Sequence, residues 1–185
     1  YTNDKGEKKK GYFRYWAPGR VIEHDGKFYL YVTFVKPGDK MGTYVLVADR
    51  PEGPFRFTEG KGLFVSGEEV DSPAIIDDID GEPFNDDDGT GYIFWRRRNA
   101  ARLSADRLHL DGGPVTLKTA RQGYSEGPVM FKRKGIYYYI YTLSGHQNYA
   151  NAYMMSRESP LTGFVKPEGN DIFLFSSPEN QVWGP

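Results

Sequence analysis

The 185-residue chain contains no cysteine, which excludes disulfide scaffolds, thiol nucleophiles and thiolate metal sites. Its three histidines, His24, His109 and His146, are too few for a histidine-rich metal site. Neither sign of charge dominates, since 24 Lys and Arg accompany 25 Asp and Glu, so we expect no nucleic-acid partner. The mean hydropathy is −0.64, and no apolar run approaches the roughly 20 residues of a membrane span, so we expect no membrane partner either.

Aromatic and turn-forming residues are abundant instead. The chain has 14 Tyr, 12 Phe and 3 Trp, which make 16% of its residues, together with 22 Gly and 12 Pro. Many aromatics combined with many turn formers favour short strands joined by tight turns. The composition therefore predicts an all-β fold and argues against a helical bundle or a nucleotide-binding βαβ fold.

A repeat runs along the chain. Each of three segments has a short opening motif, then a turn glycine, then a strand rich in aromatic residues. The opening motifs are Tyr15–Pro18, Ile79–Gly81 and Ser125–Pro128, and the turn glycines are Gly26, Gly89 and Gly135. The first and third turn glycines are 109 residues apart, which gives about 55 residues per repeat, the size of a four-stranded propeller blade. A β-sandwich with coincidental hairpins is the alternative.

The repeat divides this single domain into three blades. They cover roughly residues 14–70, 71–122 and 123–180, and residues 181–185 begin another. Known propellers close with about four to eight blades. We therefore expect the chain to be part of a larger β-propeller, whose open blade edges favour aggregation or self-association.

Two carboxylates interrupt the repeat at equivalent positions. The first position of the opening motifs holds Trp16, Ile79, Glu126 and Trp183, and the second holds Ala17, Asp80, Gly127 and Gly184. Asp80 and Glu126 thus replace apolar or small residues at the predicted mouth of the channel. A charge at such a place costs solvation free energy, a cost usually tolerated for function. Alternatively, both are structural carboxylates satisfied by arginine or backbone amides.

Other charged and aromatic residues near these motifs each allow a structural and a functional interpretation. The run Asp86–Gly89 predicts a hairpin turn rather than a calcium loop, because Asp-Gly is a strong turn signal and the downstream Glu of a calcium loop is absent. Asp77 and Asp78 are expected in a solvated loop. Trp16 and Trp183 either stack on a sugar or pack between blades. Arg96 either holds a carboxylate or a substrate hydroxyl, or lies in a solvated loop.

Together, the opening motifs resemble those of glycoside hydrolase family 43, five-bladed propeller enzymes that act on arabinose- and xylose-containing polysaccharides. Tyr15–Pro18 resembles the second-blade motif, Ile79–Gly89 the third, Ser125–Pro128 the fourth and Val182–Pro185 the start of the fifth. Gly81 departs from the pattern, because proline is common at this position in the family.

The resemblance implies functional roles for several residues. Glu126 matches the general acid, and Asp80 matches the aspartate that modulates the pKa of the acid and orients the substrate. The substrate-binding residues are predicted to be Trp16, Phe84, Arg96 and Trp183. The general base of the family precedes Tyr1, so no residue here matches it.

The implied reaction is inverting hydrolysis, in which an acid protonates the leaving oxygen while a base activates water on the opposite face. It requires no metal or organic cofactor. The predicted activity is that of a β-xylosidase or α-L-arabinofuranosidase, acting on arabinoxylan, arabinan or xylo-oligosaccharide. A retaining fructan or sucrose hydrolase and a catalytically silent carbohydrate-binding propeller are the alternatives. The predicted location is secreted or periplasmic, with the cytoplasm as the alternative.

Overall fold

The computed structural model describes residues 2, 5–10, 14–58, 72–143 and 149–182. These residues form three antiparallel sheets, which follow one another along the chain. The first sheet contains β1 (Arg14–His24), β2 (Lys27–Lys36) and β3 (Lys40–Ala48). The second contains β4 (Glu82–Asn85), β5 (Gly91–Trp95), β6 (Asn99–Leu103) and β7 (Leu110–Thr116). The third contains β8 (Val129–Arg133), β9 (Ile136–Leu143), β10 (Ala150–Ser156) and β11 (Ile172–Phe175).

Each sheet is a meander in which consecutive strands pair. Arg56 extends the first sheet, because it bridges Val47 on the free side of β3 with backbone hydrogen bonds of 2.8 and 2.9 Å. The two short 3-10 helices, Arg96–Arg98 and Pro178–Asn180, are the helical elements of the described ranges. The predicted all-β class is confirmed.

Two tight hairpins set the register of the first and third sheets. Asp25 and Gly26 have φ of 49° and 72°, and Lys134 and Gly135 have φ of 50° and 73°. Positive φ at both central residues is the geometry of a type I′ turn, whose twist matches that of the flanking strands. The turn glycines that reveal the repeat in the sequence are therefore required by the turn conformation.

The middle strands are buried on both faces. In β5 all five residues are buried, and in β2 five consecutive residues from Tyr31 to Val35 are buried. A strand reads as a continuous apolar run when both faces of its sheet are covered. One core, which includes Tyr31 and Ile93, joins the first and second sheets, and another, which includes Phe94 and Tyr139, joins the second and third.

The first strands of the three sheets lie next to one another, since β1 contacts β4 and β4 contacts β8. Successive sheets packed face to face with their first strands together form the arrangement of propeller blades around an axis. The β-propeller prediction is thus confirmed for the described part of the chain.

The outermost strand of the third sheet exposes a set of large apolar side chains. Phe173, Leu174 and Phe175 are each about half exposed on β11. Among the described residues, no helix has the length and apolar character that crossing a membrane requires.

Candidate active site

The three opening motifs meet in one cleft of about 550 Å³. It is lined by Tyr15, Trp16, Ala17, Ile79, Asp80, Glu126, Gly127 and Thr142. Ala17, Asp80 and Gly127, which are equivalent in the repeat, have φ of 29°, 64° and 52°. The same unusual turn of the backbone therefore occurs at the start of all three sheets and directs the chain past the cleft.

Asp80 is held from both neighbouring sheets. Its backbone N–H donates to Thr33 Oγ1 at 2.9 Å, and its Oδ2 accepts the backbone N–H of Gly127 at 3.0 Å. Burial raises the pKa of the Asp80 carboxyl above its ordinary value, the hydrogen bond from Gly127 opposes this, and the charge of Glu126 adds to it. Asp80 is thus a partly desolvated carboxyl beside a second one.

Gly81 permits this arrangement because the backbone passes very close to its neighbours. A Cβ at this position would lie 2.5 Å from Thr43 Cγ2, and a Cβ at Gly19 would lie 2.4 Å from the carbonyl oxygen of Gly81. The Gly81 N–H donates to Thr43 Oγ1 at 3.2 Å. The departure from the common proline is therefore matched by close packing around Gly81.

Glu126 is fixed at its backbone and at its carboxylate. Thr142 Oγ1 donates to the Glu126 carbonyl at 2.7 Å and accepts the Glu126 N–H at 2.9 Å. The Tyr124 hydroxyl donates to Glu126 Oε2 at 2.7 Å. The Tyr149 hydroxyl also hydrogen-bonds this carboxylate, whose charge raises the pKa of Tyr149. The Glu126 side chain thus lies in the cleft with a phenol group from each of two separate segments.

Arg96 is not among the residues that line the cleft. Its Nε lies 2.6 Å from Asp78 Oδ1, and its guanidinium hydrogen-bonds the side chain of Tyr124. The solvated-loop interpretation of Asp78 is wrong, since its side chain is only 15% exposed and is paired with Arg96. The structure supports the interpretation in which Arg96 holds a carboxylate, that of Asp78. The predicted substrate-binding role of Arg96 has no support from the cleft, since Arg96 does not line it.

Trp16 lines the cleft and is 37% exposed. The Arg14 guanidinium lies 5.2 Å from its ring centroid, and the neighbouring Tyr15 makes an edge contact with Phe34 at 4.8 Å. Trp16 therefore presents aromatic surface to the cleft, as a sugar-stacking residue requires. Trp183, the other predicted stacking residue, lies outside the described residues.

Phe84 lies in the core and does not line the cleft. It is 6% exposed on β4 and contacts Tyr92 and Tyr137 with ring centroids 6.4 and 6.3 Å apart. This placement corrects the prediction that Phe84 binds substrate. The side chain packs between the second and third sheets, because β4 is covered on both faces.

The acidic turn forms as predicted and has a further contact. Gly89 closes it with an N–H donated to the Asp86 carbonyl at 3.0 Å. Asp86 Oδ1 lies 2.7 Å from Lys132 Nζ, and Asp86 Oδ2 accepts the Tyr137 hydroxyl at 2.5 Å. Across the described ranges, no three Asp, Glu or His side chains are placed to hold a metal ion.

Sequence reasoning missed Tyr124, Tyr149 and Thr142. A signal existed for Thr142, because it follows the turn glycine Gly135 by the same spacing as Thr33 follows Gly26. The Thr33 hydroxyl accepts the backbone N–H of Asp80, and the Thr142 hydroxyl accepts the backbone N–H of Glu126. The two tyrosines have no equivalent in the repeat that would reveal them.

The comparison with protein families decides the classification of the chain. The sequence model of glycosyl hydrolases family 43 matches residues 1–185. The chain belongs to this family. A family 43 membership agrees with the propeller arrangement, since the solved structures that it resembles are five-bladed propellers.

Two curated relatives and one solved structure illustrate the similarity. A β-D-galactofuranosidase of Aspergillus niger is 31% identical over 92% of this chain and 53% of its own length. An arabinoxylan arabinofuranohydrolase of Bacillus subtilis is 30% identical over 70% of this chain and 28% of its own length. A solved structure described as a glycoside hydrolase is 42% identical, with a TM-score of 0.76, over 94% of this chain and 39% of that one. The chain thus spans about half or less of these relatives.

Proposed function

We propose that this chain is part of a glycosidase that cleaves arabinose- or xylose-containing plant polysaccharides or oligosaccharides by inverting acid/base hydrolysis. Glu126 is the general acid, Asp80 modulates it and orients the substrate, and the general base belongs to a blade outside these 185 residues. The observation that carries the proposal is that Asp80 and Glu126, from two different sheets, share one open cleft.

The chemistry follows from the protonation states that the reaction needs. Glu126 transfers its proton to the glycosidic oxygen as the bond to the anomeric carbon breaks, and becomes a carboxylate. A water molecule attacks the anomeric carbon from the opposite face and loses its proton to the base. The hydroxyls of Tyr124 and Tyr149 are already hydrogen-bonded to Glu126, where they stabilise the carboxylate that the step produces.

The names of the curated relatives favour a furanoside substrate. One is named for galactofuranose and the other for arabinofuranose, and both are sugars in the five-membered ring form. We infer that a terminal or side-chain arabinofuranosyl unit occupies the cleft, with Trp16 stacking on the sugar or its neighbour. Arabinoxylan and arabinan are the corresponding polymers, and xylo-oligosaccharide is the competing substrate.

The exposed apolar side chains of β11 support the proposal of further blades. Large contiguous apolar patches on a soluble protein mark interaction surfaces. A fifth blade or a second chain would cover the exposed parts of Phe173 and Phe175. Within the third sheet, Phe173 makes an edge contact with Tyr153.

The test is Glu126→Gln in the chain extended through the first and fifth blades, with Glu168→Gln, an exposed position, as the matched control. The substrates are alkyl and p-nitrophenyl α-L-arabinofuranosides, with the β-D-galactofuranoside and β-D-xylopyranoside for specificity. General-acid help is worth about 10²–10⁴-fold, so Glu126→Gln should lose this factor on alkyl glycosides and far less on p-nitrophenyl glycosides. Equal losses on both substrates would contradict the role of Glu126.

The anomeric configuration of the first product, followed by NMR, tests the inverting mechanism. Retention would instead indicate a retaining hydrolase of the fructan or sucrose type. Sugar binding without turnover by the extended chain would indicate a carbohydrate-binding propeller.

A further inference from the structure

A chain of side-chain contacts runs from the second sheet to the carboxylate of Glu126. Asp78 pairs with Arg96 at 2.6 Å, Arg96 hydrogen-bonds the side chain of Tyr124, and the Tyr124 hydroxyl donates to Glu126 Oε2 at 2.7 Å. Asp78 and Arg96 precede and follow the strands β4 and β5, whereas Tyr124 and Glu126 belong to the opening motif of the third sheet. The contacts therefore cross the boundary between two sheets.

The chemistry of arginine determines which group donates and which accepts in these hydrogen bonds. A guanidinium donates and never accepts, so Arg96 donates to the Tyr124 oxygen and leaves the hydroxyl hydrogen of Tyr124 for Glu126. The effects on Tyr124 agree: burial raises its pKa, the hydrogen bond to Glu126 raises it further, and the hydrogen bond from Arg96 lowers it. Tyr124 thus has one hydrogen-bonding orientation, although its side chain is 37% exposed.

The backbone supports the same arrangement. The N–H of Arg97 donates to the carbonyl of Ser125 at 2.8 Å, and the N–H of Arg96 donates to the carbonyl of Ile79 at 3.3 Å. The 3-10 helix Arg96–Arg98 is thereby bonded to both opening motifs that carry the cleft carboxylates. Ser125 is buried, so this contact is shielded from solvent.

We propose that Tyr124, held by Arg96, is a positioning residue that fixes the Glu126 carboxyl for proton transfer to the leaving group. The inference rests on the proposed function, because it presupposes that Glu126 is the acid. Tyr124 is not among the residues that line the cleft, so its role is assigned through Glu126 rather than through contact with the sugar. Its hydroxyl restricts the carboxyl to one orientation and stabilises the carboxylate once the proton has left.

Tyr124→Phe removes only the hydroxyl group and tests this role in the extended chain. A hydrogen bond to a charged group corresponds to about 10- to 100-fold, so kcat on alkyl arabinofuranosides should fall by that factor. KM should change less than about 2-fold, and kcat on p-nitrophenyl arabinofuranosides less than about 3-fold, since activated leaving groups need little protonation. Tyr138→Phe, in which the ring stacks on Phe131, is the matched control and should leave both substrates unaffected.

Arg96→Gln provides a second variant, and it should reproduce the leaving-group dependence of Tyr124→Phe if Arg96 acts through Tyr124. A double-mutant cycle tests whether Tyr124 acts through Glu126. In the Glu126→Gln background, Tyr124→Phe should add less than about 2-fold, because the group that it positions has gone.

A loss that is equal for both substrate classes, or confined to KM, would overturn the positioning role while leaving Glu126 as the acid. A Glu126→Gln variant that shows no leaving-group dependence would overturn the proposed function and the positioning role together. Thermal unfolding of each variant shows whether a loss of activity is caused by misfolding. If Tyr124→Phe is misfolded, the leaving-group dependence of Arg96→Gln decides whether the positioning role holds.

Discussion

Gly127 donates its backbone N–H to the carboxylate of Asp80 at 3.0 Å, so the opening motif of the third sheet is bonded to the cleft carboxyl of the second. The bond satisfies one oxygen of a carboxyl that burial has partly removed from water. It also sets the distance between the Asp80 and Glu126 segments, because Gly127 directly follows Glu126. A change at Asp80 therefore affects both folding and the cleft.

Asp80→Asn should stabilise the protein at neutral pH. Because burial, with the charge of Glu126, raises the pKa of Asp80 in the folded state, folding loses stability as the pH rises through that raised pKa. Asparagine removes this loss, still accepts the Gly127 N–H and tolerates the positive φ. We expect Tm to rise by roughly 2–4 °C at pH 7, and the gain to vanish below the ordinary Asp pKa of about 3.9.

The measurement is thermal unfolding of both proteins across the pH range. A Tm that is lower in Asp80→Asn at pH 7 would show that the Asp80 charge is well compensated in the folded protein. Catalysis is expected to fall in the same variant, as is common where a site carries a destabilised group.

Asp86→Asn should destabilise the protein, with the opposite pH dependence. Burial disfavours the Asp86 charge, but the hydrogen bonds from Lys132, Tyr137 and the Asp87 N–H outweigh it and hold the pKa of Asp86 below its ordinary value. The resulting stability is present above about pH 3.9 and is lost as the pH falls through the lowered pKa. We expect a loss of about 1–3 kcal/mol at pH 7 in denaturant unfolding.

Asp87→Asn is the control, because Asp87 also pairs with Lys132, at 2.9 Å, but is 83% exposed. We expect it to change the free energy of unfolding by less than about 0.5 kcal/mol. Equal effects of the two substitutions would contradict a specific role of Asp86 between the second and third sheets.

The sequence predicted the repeat, the all-β class and the two cleft carboxylates, because each depends on local signals. The turn glycines at Gly26 and Gly135 need positive φ, and the carboxylates stand out against their repeat equivalents. Phe84 could not be placed in this way, since an aromatic next to a motif looks the same whether its strand faces a channel or a neighbouring sheet.

The contacts of Arg96 were also beyond the sequence. Along the chain, the β4–β5 hairpin separates Asp78 from Arg96, and β6 and β7 separate Arg96 from Tyr124, so only the packing of the sheets brings them together. A cluster of charged residues in a sequence does not show whether their side chains face solvent or pair with a buried partner. Thr142 was the exception, because its equivalence to Thr33 was visible in the repeat.

Gly81→Ala should destabilise the fold through a steric clash with Thr43. The new Cβ would lie 2.5 Å from Thr43 Cγ2, and overpacking of this kind costs about 1–3 kcal/mol. Thr43→Ser removes this methyl group and keeps the hydroxyl that Gly81 N–H and the Asp78 carbonyl use. We therefore expect the double variant to recover part of the loss in denaturant unfolding, and strictly additive losses would contradict the clash.

Trp16→Ala should weaken substrate binding more than it slows the chemistry. The indole lies in the cleft, where it offers apolar surface to a sugar, but it has no group that transfers a proton. We expect KM in the extended chain to rise about 10-fold, which corresponds to about 1.4 kcal/mol, with kcat within about 3-fold. The control is Tyr138→Phe, which keeps the ring, lies outside the cleft lining and should leave KM nearly unchanged.

The 185 residues alone should show no measurable hydrolysis, whereas the chain extended through the first and fifth blades should be active. Among the residues that line the described cleft, the carboxylates are Asp80 and Glu126, and the proposed mechanism assigns neither to the activation of water. A general base contributes about 10²–10⁴-fold to the rate, so its loss is measurable with p-nitrophenyl arabinofuranoside and xyloside.

The two chains are compared at equal concentration, with circular dichroism to verify that the shorter one is folded. Comparable turnover by both would show that the base lies within these residues. Asp77 would then be the first substitution to make, since it is exposed while Asp78 is paired with Arg96.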